Sequence, residues 1–460
     1  MEKKTDWNGK RVLILGGARQ GQAAARWLAR HCAIVTVNDR RSPEQMSAAQ
    51  SALAGIPVQW VLGSHPVEIL ATTDILCISG GVPLDNPLVA AALQRGIPLT
   101  NDTQIFLEAS PCPSVGITGS AGKTTTTSLV GQMAKKADGD RTIVGGNIGD
   151  PLLNYVDEMT TANLAILEIS SFQLEQMSVS PDVAAILNIT PNHLDRHGTM
   201  EAYTAAKRRI LEFQRADSIA ILNRDDQGSW NMHTDVNGQL VSFGAGAFPG
   251  NEDGTFLADG MLYIRQRGKE IPLLKADQIQ LRGAHNAMNV LAAFAIGYAA
   301  GLPVDAMVSA AKEFRGVAHR LEFVREWNGT QWYNDSIATA PERTMAAIHS
   351  FTEPIVLLLG GRDKNLPWED LAAMVHQRVQ HVVLFGEAAE KISAALEKDS
   401  GPLPLTVHRC PGLQEAVQAA AEVASPGSIV LLSPGGTSFD QFYDFEERGK
   451  AFRKWVSELS

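Results

Sequence analysis

The chain has 460 residues, too many for one ordinary core, so two to four domains are expected at roughly 150 residues each. Its 45% hydrophobic and 20% charged residues are those of a soluble globular protein, and a net charge of −10 leaves no basic footprint for nucleic acid or an anionic membrane surface. The four cysteines (Cys32, Cys77, Cys112, Cys410) are scattered, and no apolar run reaches the ~20 residues of a membrane span. Disulfide framework, zinc site and membrane insertion are therefore set aside, and a cytoplasmic protein is expected.

Residues 10–40 read as strand, Gly-rich turn, helix, strand. RVLIL (11–15) is a continuous apolar run, as expected where helices cover both faces of a parallel sheet. The turn Gly16-Gly17-Ala18-Arg19-Gln20-Gly21 approximates the dinucleotide fingerprint, with Ala18 in place of its second glycine and Asp39 ending the next strand. Three readings stay open for it: NAD, a nucleotide-diphosphate sugar, or a purely structural turn. Further strands are expected near 58–62, 75–79 and 97–100, with Ser79-Gly80-Gly81 closing the third unit, and PCP at 111–113 reads as a linker.

The stretch 114–128, SVGITGSAGKTTTTS, is the centre of the chain. A short strand runs into a Gly-rich turn and then a helix-compatible run, which is how a phosphate cradle is built. The strict P-loop pattern would need glycine at 117, where Ile117 stands, so this is a tighter variant. Lys123 is placed to reach the outer phosphates of ATP and the Thr124 hydroxyl to sit on Mg2+. Two more apolar strands follow, LAILE ending in Glu168 and VAAILN leading to His193. Both residues are therefore expected in the crevice outside the carboxyl ends of the sheet, with Lys123. Residues 200–213 are helical, and Lys207-Arg208-Arg209 within them reads on bare sequence as a solvated basic face. Residues 223–280 look like a hairpin-rich insertion. An apolar helix near 281–300 places Asn286 and Asn289 on one face, a turn apart.

A third α/β region begins near 318. Its continuous apolar strands (PIVLLLGG, HVVLFG, SIVLLSPGG) alternate with helices, and the SPGGTS turn is expected to lead into a helix whose first N–H groups face an anion. The fold class is thus α/β with three domains: a Rossmann-like 1–103, a central P-loop parallel sheet 104–317, and a second Rossmann-like region 318–460.

The motifs GITGSAGKTTT, VGGNIG, EISSFQLE, NITPNHLDRHG, AYTAAKRRI, GAHNAMN, HRLEF, NDSIAT, LLGGRDKN and LSPGGTSFDQFYDFEERG occur in one order. On them the chain resembles the Mur ligase family over essentially its whole length. The resemblance is to the members that add glutamate as the second amino acid of the peptidoglycan stem peptide. It implies an enzyme that uses ATP to join D-glutamate to UDP-N-acetylmuramoyl-L-alanine through an acyl phosphate. The L enantiomer, or another Mur or folylpolyglutamate-type ligation, is the alternative; a P-loop switch protein, which would need no third Rossmann-like domain, is the rival from another class.

The resemblance also distributes roles. The UDP end of the substrate falls to Arg19, Gln20, Asp39 and Gly81, with Asn147 near the sugar, so the first turn is not an NAD site. ATP falls to Gly119, Ser120, Gly122, Lys123, Thr124, Thr125, Asn286 and Asn289, with Arg320 and Asp335 closing over phosphates and ribose. Lys207 matches a lysine that the family carbamylates with CO2, which overturns the solvated-face reading. Lys123, Glu168, His193 and Lys207 are the catalytic set, and Thr124, Glu168, His193 and the Lys207 carbamate would hold two Mg2+ ions. Thr339, Lys364, Ser438 and Phe445 fall to the amino acid, and a monomer is expected. Two departures stand out: Ala121 replaces an asparagine common in the family's P-loop, and Ile337 stands where many members carry lysine beside the amino-acid pocket. The second leaves open how the glutamate carboxylates are held.

Overall fold

The computed structural model describes residues 5–246, 248, 252–281, 283–402 and 404–460. The chain forms two compact units, one of residues 1–279 and 284–314, the other of 280–283 and 315–460.

The first unit carries two sheets. The N-terminal one comprises β1 (Arg11–Leu15), β2 (Ile34–Asp39), β3 (Val58–Leu62), β4 (Ile75–Ile78) and β5 (Leu99–Thr100), all parallel, in the order β3-β2-β1-β4-β5. Successive side chains of a strand alternate faces. Val12 and Ile14 accordingly enter one core and Leu13 and Leu15 another, which is why RVLIL must be apolar throughout.

The second sheet comprises β6 (Ser114–Thr118), β7 (Thr142–Gly146), β8 (Leu164–Glu168), β9 (Val183–Ile186), β10 (Ile219–Asn223), β11 (Gln239–Gly244), β12 (Gly254–Ala258), β13 (Met261–Gln266) and β14 (Lys269–Lys275). Its order is β14-β13-β12-β11-β10-β9-β6-β8-β7. The strands from β7 to β12 run parallel, and β12, β13 and β14 form an antiparallel meander, the hairpin insertion expected from the sequence. β6 is buried along its whole length between β8 and β9. The chain order reverses beside it, so a crevice opens at its carboxyl end, where open α/β sheets bind ligands.

The second unit has one sheet: β15 (Glu322–Trp327), β16 (Thr330–Asn334), β17 (Ile355–Gly360), β18 (Val379–Phe385), β19 (Thr406–Cys410) and β20 (Ile429–Gly435), ordered β15-β16-β20-β17-β18-β19. All are parallel except the edge strand β15. Leu357 and Leu359 pack on one face, Val356 and Leu358 on the other. One expectation fails here. The SPGGTS turn does not open a helix: a loop follows it, and the last helix is Phe445–Glu458. The Asp444 side chain accepts from the Glu447 N–H, and Glu446 and Glu447 fill the first turn, so that helix start is already capped by anions. Among the described residues no helix is long and apolar enough to cross a membrane.

Candidate active site

The cradle lies where β6 meets the Lys123–Asp138 helix. Gly122 is the residue before that helix, with φ +82°, and a Cβ there would lie 2.3 Å from Asn289 Oδ1. Both conformation and space therefore demand glycine. The loop is gripped by its main chain: Asn188, just past β9, accepts from the Ala121 N–H at 2.8 Å and donates to the Ala121 carbonyl at 3.1 Å. That grip uses no side chain at 121, so the departure to alanine leaves the loop held. Ser120 Oγ donates to the Thr190 carbonyl at 2.9 Å and lies 2.9 Å from Tyr203 Oη. Thr124 and Thr125, half-buried, occupy the first helical turn. Lys123 folds back over the loop, donating to the Gly119 carbonyl at 2.8 Å and that of Ser120 at 3.3 Å.

Lys207 corrects the bare-sequence reading of a solvated basic face. Helix Met200–Glu212 buries Tyr203, Ala206, Lys207, Ile210 and Leu211 on one stripe and leaves Arg208 outside. The Lys207 side chain reaches the cradle, donating to the Gly119 carbonyl at 3.0 Å and to Thr118 Oγ1 at 3.3 Å, with its nitrogen 4.8 Å from the Tyr203 ring centroid. Burial pushes its amine well below the ordinary lysine value. Lys123 adds to the shift, and Glu168 opposes it.

Glu168 ends β8 and is 2% exposed. One carboxylate oxygen accepts from Asn147 Nδ2 at 2.8 Å; the other, Oε2, is buried with no hydrogen-bond partner. An orphaned carboxylate oxygen facing a phosphate cradle fits a hard divalent cation. His193 lies on the next strand's exit with φ +53°, an unusual backbone for a residue with a Cβ, its exposed ring 5.1 Å from that of Phe172. Among the described residues no three His, Cys, Asp or Glu side chains group as a metal site, so Glu168 and His193 do not form one by themselves. Two groups here went unread in the sequence. Tyr203 sits one helical turn before Lys207 and shares its face, a spacing that could have revealed it. His197 stacks on Phe172 with ring centroids 5.2 Å apart and bonds Ser171 Oγ at 3.0 Å.

Beside Gly122 opens a cavity of about 260 Å³, lined by apolar Leu187, Phe243 and Met288 and by polar Asn223, His285 and Asn289. Asn289 donates to Asn286 Oδ1 at 3.0 Å, so the two asparagines share a face as expected. Its size and its mixed apolar and amide lining suit a purine next to the cradle.

In the N-terminal sheet, Asp39 accepts from the Gly17 N–H at 2.9 Å and is forked by Arg41 at 2.9 and 2.6 Å, which holds its carboxyl far below the usual range. Both oxygens are thus engaged, unlike the free acid that takes a ribose in a dinucleotide site. A Cβ at Gly21 would lie 1.9 Å from the Gly16 carbonyl, so that glycine serves helix–strand packing. Arg19 and Gly81 are exposed and Gln20 half-buried around the turn, and Arg41 joins them, unread in the sequence. Arg196, from the His193 loop, donates to the Val82 carbonyl at 3.3 Å, linking the Gly81 loop to the central sheet.

In the second unit, exposed Lys364 donates to Thr339 Oγ1 at 3.2 Å, and Ser438 is buried on the loop after β20. Phe445 stands at the start of the last helix, edge-on to His319. Asp335, buried at the end of β16, accepts from Ser433 Oγ and the Leu321 N–H, and burial pushes its carboxyl up to about 7. Arg320 lies near enough to lower it.

Fold and cradle together define a nucleotide-dependent enzyme of α/β architecture. Family models described as the N-terminal domain of MurD-like Mur ligases, the Mur ligase middle domain and the Mur ligase glutamate ligase domain match residues 10–101, 117–297 and 319–436. UDP-N-acetylmuramoylalanine–D-glutamate ligases of Symbiobacterium thermophilum and Acidobacterium capsulatum are 39% and 40% identical to the chain. The alignments cover 98% of both chains for the first, and 97% of this chain and 96% of the relative for the second. The solved UDP-N-acetylmuramate–alanine ligase of Thermotoga maritima shares the fold, with a TM-score of 0.56 at 18% identity over 98% of this chain and 100% of that one. The chain belongs to the Mur ligase family.

Proposed function

We propose that the chain joins D-glutamate to UDP-N-acetylmuramoyl-L-alanine with ATP, a step of peptidoglycan precursor synthesis. Identity of 36–40% to D-glutamate ligases along nearly the whole chain supports the substrate pair. The observation that carries the chemistry is the convergence of Lys123, Lys207 and the orphaned Glu168 oxygen on one phosphate cradle.

The acceptor carboxylate attacks the γ-phosphoryl of ATP, ADP leaves, and the acyl phosphate results; the glutamate amine then attacks the acyl carbon and phosphate departs. Attack joins two anions, so the site must neutralise charge as it moves. Lys123, released from the loop carbonyls, takes the outer phosphates, and loop N–H groups hold those nearer the ribose. Asn286 and Asn289 attend the base, Ser120, Gly119 and Thr125 the phosphate chain. Arg320 and Asp335 are likewise assigned to ATP. Glu168 with Thr124, and His193 with Lys207, would hold two Mg2+ ions, which supply charge neutralisation of the transferring group.

Lys207 suits carbamylation because burial pushes its amine well below the ordinary lysine value, toward the neutral form that adds CO2. The product is an anion, which turns repulsion by Lys123 into attraction. Arg19, Gln20, Asp39, Gly81 and Asn147 are assigned to the UDP-sugar, and Thr339, Lys364, Ser438 and Phe445 to glutamate. We place the domain boundaries at 103/104 and 317/318. The test is phosphate release from ATP with each substrate omitted in turn: release is expected only when the UDP acceptor and glutamate are both present, and release without glutamate would overturn the ligase assignment.

A further inference from the structure

Arg448 is 0% exposed, the largest charged side chain sealed in the second unit. Every hydrogen bond it makes goes to a neutral oxygen. Nη1 donates to the Gly436 carbonyl at 3.1 Å, Nη2 to the Ser336 carbonyl at 2.8 Å, and Nε to Ser336 Oγ at 3.0 Å. Asp440 is the carboxylate that acts on it, from beyond ion-pair distance, while accepting from the Glu387 N–H. Burial pushes the guanidinium down to about 10, which leaves it a cation at neutral pH.

An uncompensated buried charge is costly, and apolar replacements of buried charges are often neutral or stabilising. The reason for this one therefore lies in what it holds. Ser336 stands three residues before Thr339, and Gly436 two before Ser438. The two loops are further tied by the Gly435 N–H to the Ala338 carbonyl at 2.9 Å. The Lys364 loop joins them through paired bonds of 2.8 Å between Arg362 and Thr437. One guanidinium fork thus sets the spacing of the loops assigned to the amino acid, and its charge is screened by neither solvent nor a bound carboxylate.

Building on the proposed function, we infer that Arg448 is a positioning residue of the amino-acid site: it fixes the Thr339 and Ser438 loops and gives them a buried positive field suited to a dianionic amino acid. Ile337, where many family members carry lysine, leaves that field as a source of positive charge beside the loop.

The test compares Arg448→Lys and Arg448→Met with the wild-type enzyme. The glutamate KM is expected to rise ~10-fold in the Lys variant, which keeps charge and loses the fork, and ~100-fold in the Met variant, which loses both. KM for ATP and for the UDP acceptor stays within about 2-fold. An unchanged glutamate KM, or an equal rise for ATP, overturns the inference; if the Met variant does not fold, the Lys variant decides. Amide hydrogen exchange separates this from the function itself. Faster exchange at 335–339 and 433–438 in either variant is expected whatever the amino acid, and unchanged exchange contradicts the positioning role. A wild-type enzyme that ligates no glutamate counts against the proposed function alone.

Discussion

Lys123 and Lys207 place their side-chain nitrogens on the same oxygen, the carbonyl of Gly119, at 2.8 and 3.0 Å. Burial pushes the Lys207 amine well below the ordinary lysine value, and the neighbouring Lys123 charge pushes it the same way. Lys207→Ala is expected to lose at least ~100-fold in kcat and to recover part of it with formate or acetate, small anions able to occupy the vacated place. Wild-type activity in CO2-depleted buffer rises on adding bicarbonate. Full activity of the Ala variant, or no response to either anion, contradicts a carbamate.

Glu168→Gln keeps the volume and the Asn147 contact and removes the charge at the orphaned oxygen. Turnover falls ~100-fold or more, and the Mg2+ concentration for half-maximal rate rises. A Mg2+ titration at saturating ATP checks it; an unshifted midpoint would release Glu168 from metal binding.

Asp102, outside the assigned site, gives a prediction about stability. It is buried with Oδ1 unpartnered, and burial raises its carboxyl from 3.8 to about 7. The folded state therefore binds this proton more tightly than the unfolded one, and between pH ~4 and ~7 stability falls as pH rises. Asp102→Asn has no such slope. Thermal unfolding is expected to show the variant more stable than wild type at pH 8, on the order of 4 kcal/mol, and nearly equal at pH 4. A gap that does not grow with pH contradicts the assignment.

Much of this was legible in the sequence, and the misses have physical causes. Inner strands of the three sheets, such as 11–15, 164–168 and 355–360, are near-continuous apolar runs because both faces are covered, and that pattern needs no tertiary information. Lys207 was misread because its charge outweighed its register: it falls on the stripe of Tyr203, Ala206 and Ile210, and the stripe is what the helix buries. The SPGGTS turn has the composition of a helix start, but Asp444, the side chain that caps the real one, lies several residues on. Arg448 sits in FEERGK, which reads as a charged surface turn. Nothing local marks it as buried, since its acceptors come from residues 336 and 436.

Under the proposed assignment Lys364 would bring a charge to the side-chain carboxylate of glutamate, and a charged hydrogen bond is worth roughly 1.5–3 kcal/mol. Lys364→Ala is expected to raise the glutamate KM ~10–100-fold with little effect on that for ATP. The same variant narrows the preference for glutamate over glutamine, read from steady-state kinetics with both amino acids.

A phosphate-release assay with ATP, UDP-N-acetylmuramoyl-L-alanine and either enantiomer of glutamate at equal concentration decides which amino acid the enzyme joins. D-glutamate is expected to support turnover and the L form to support almost none. Preference for L-glutamate, or equal rates with both, would rule out a D-glutamate ligase and mark Ile337 as the sign of a different substrate choice.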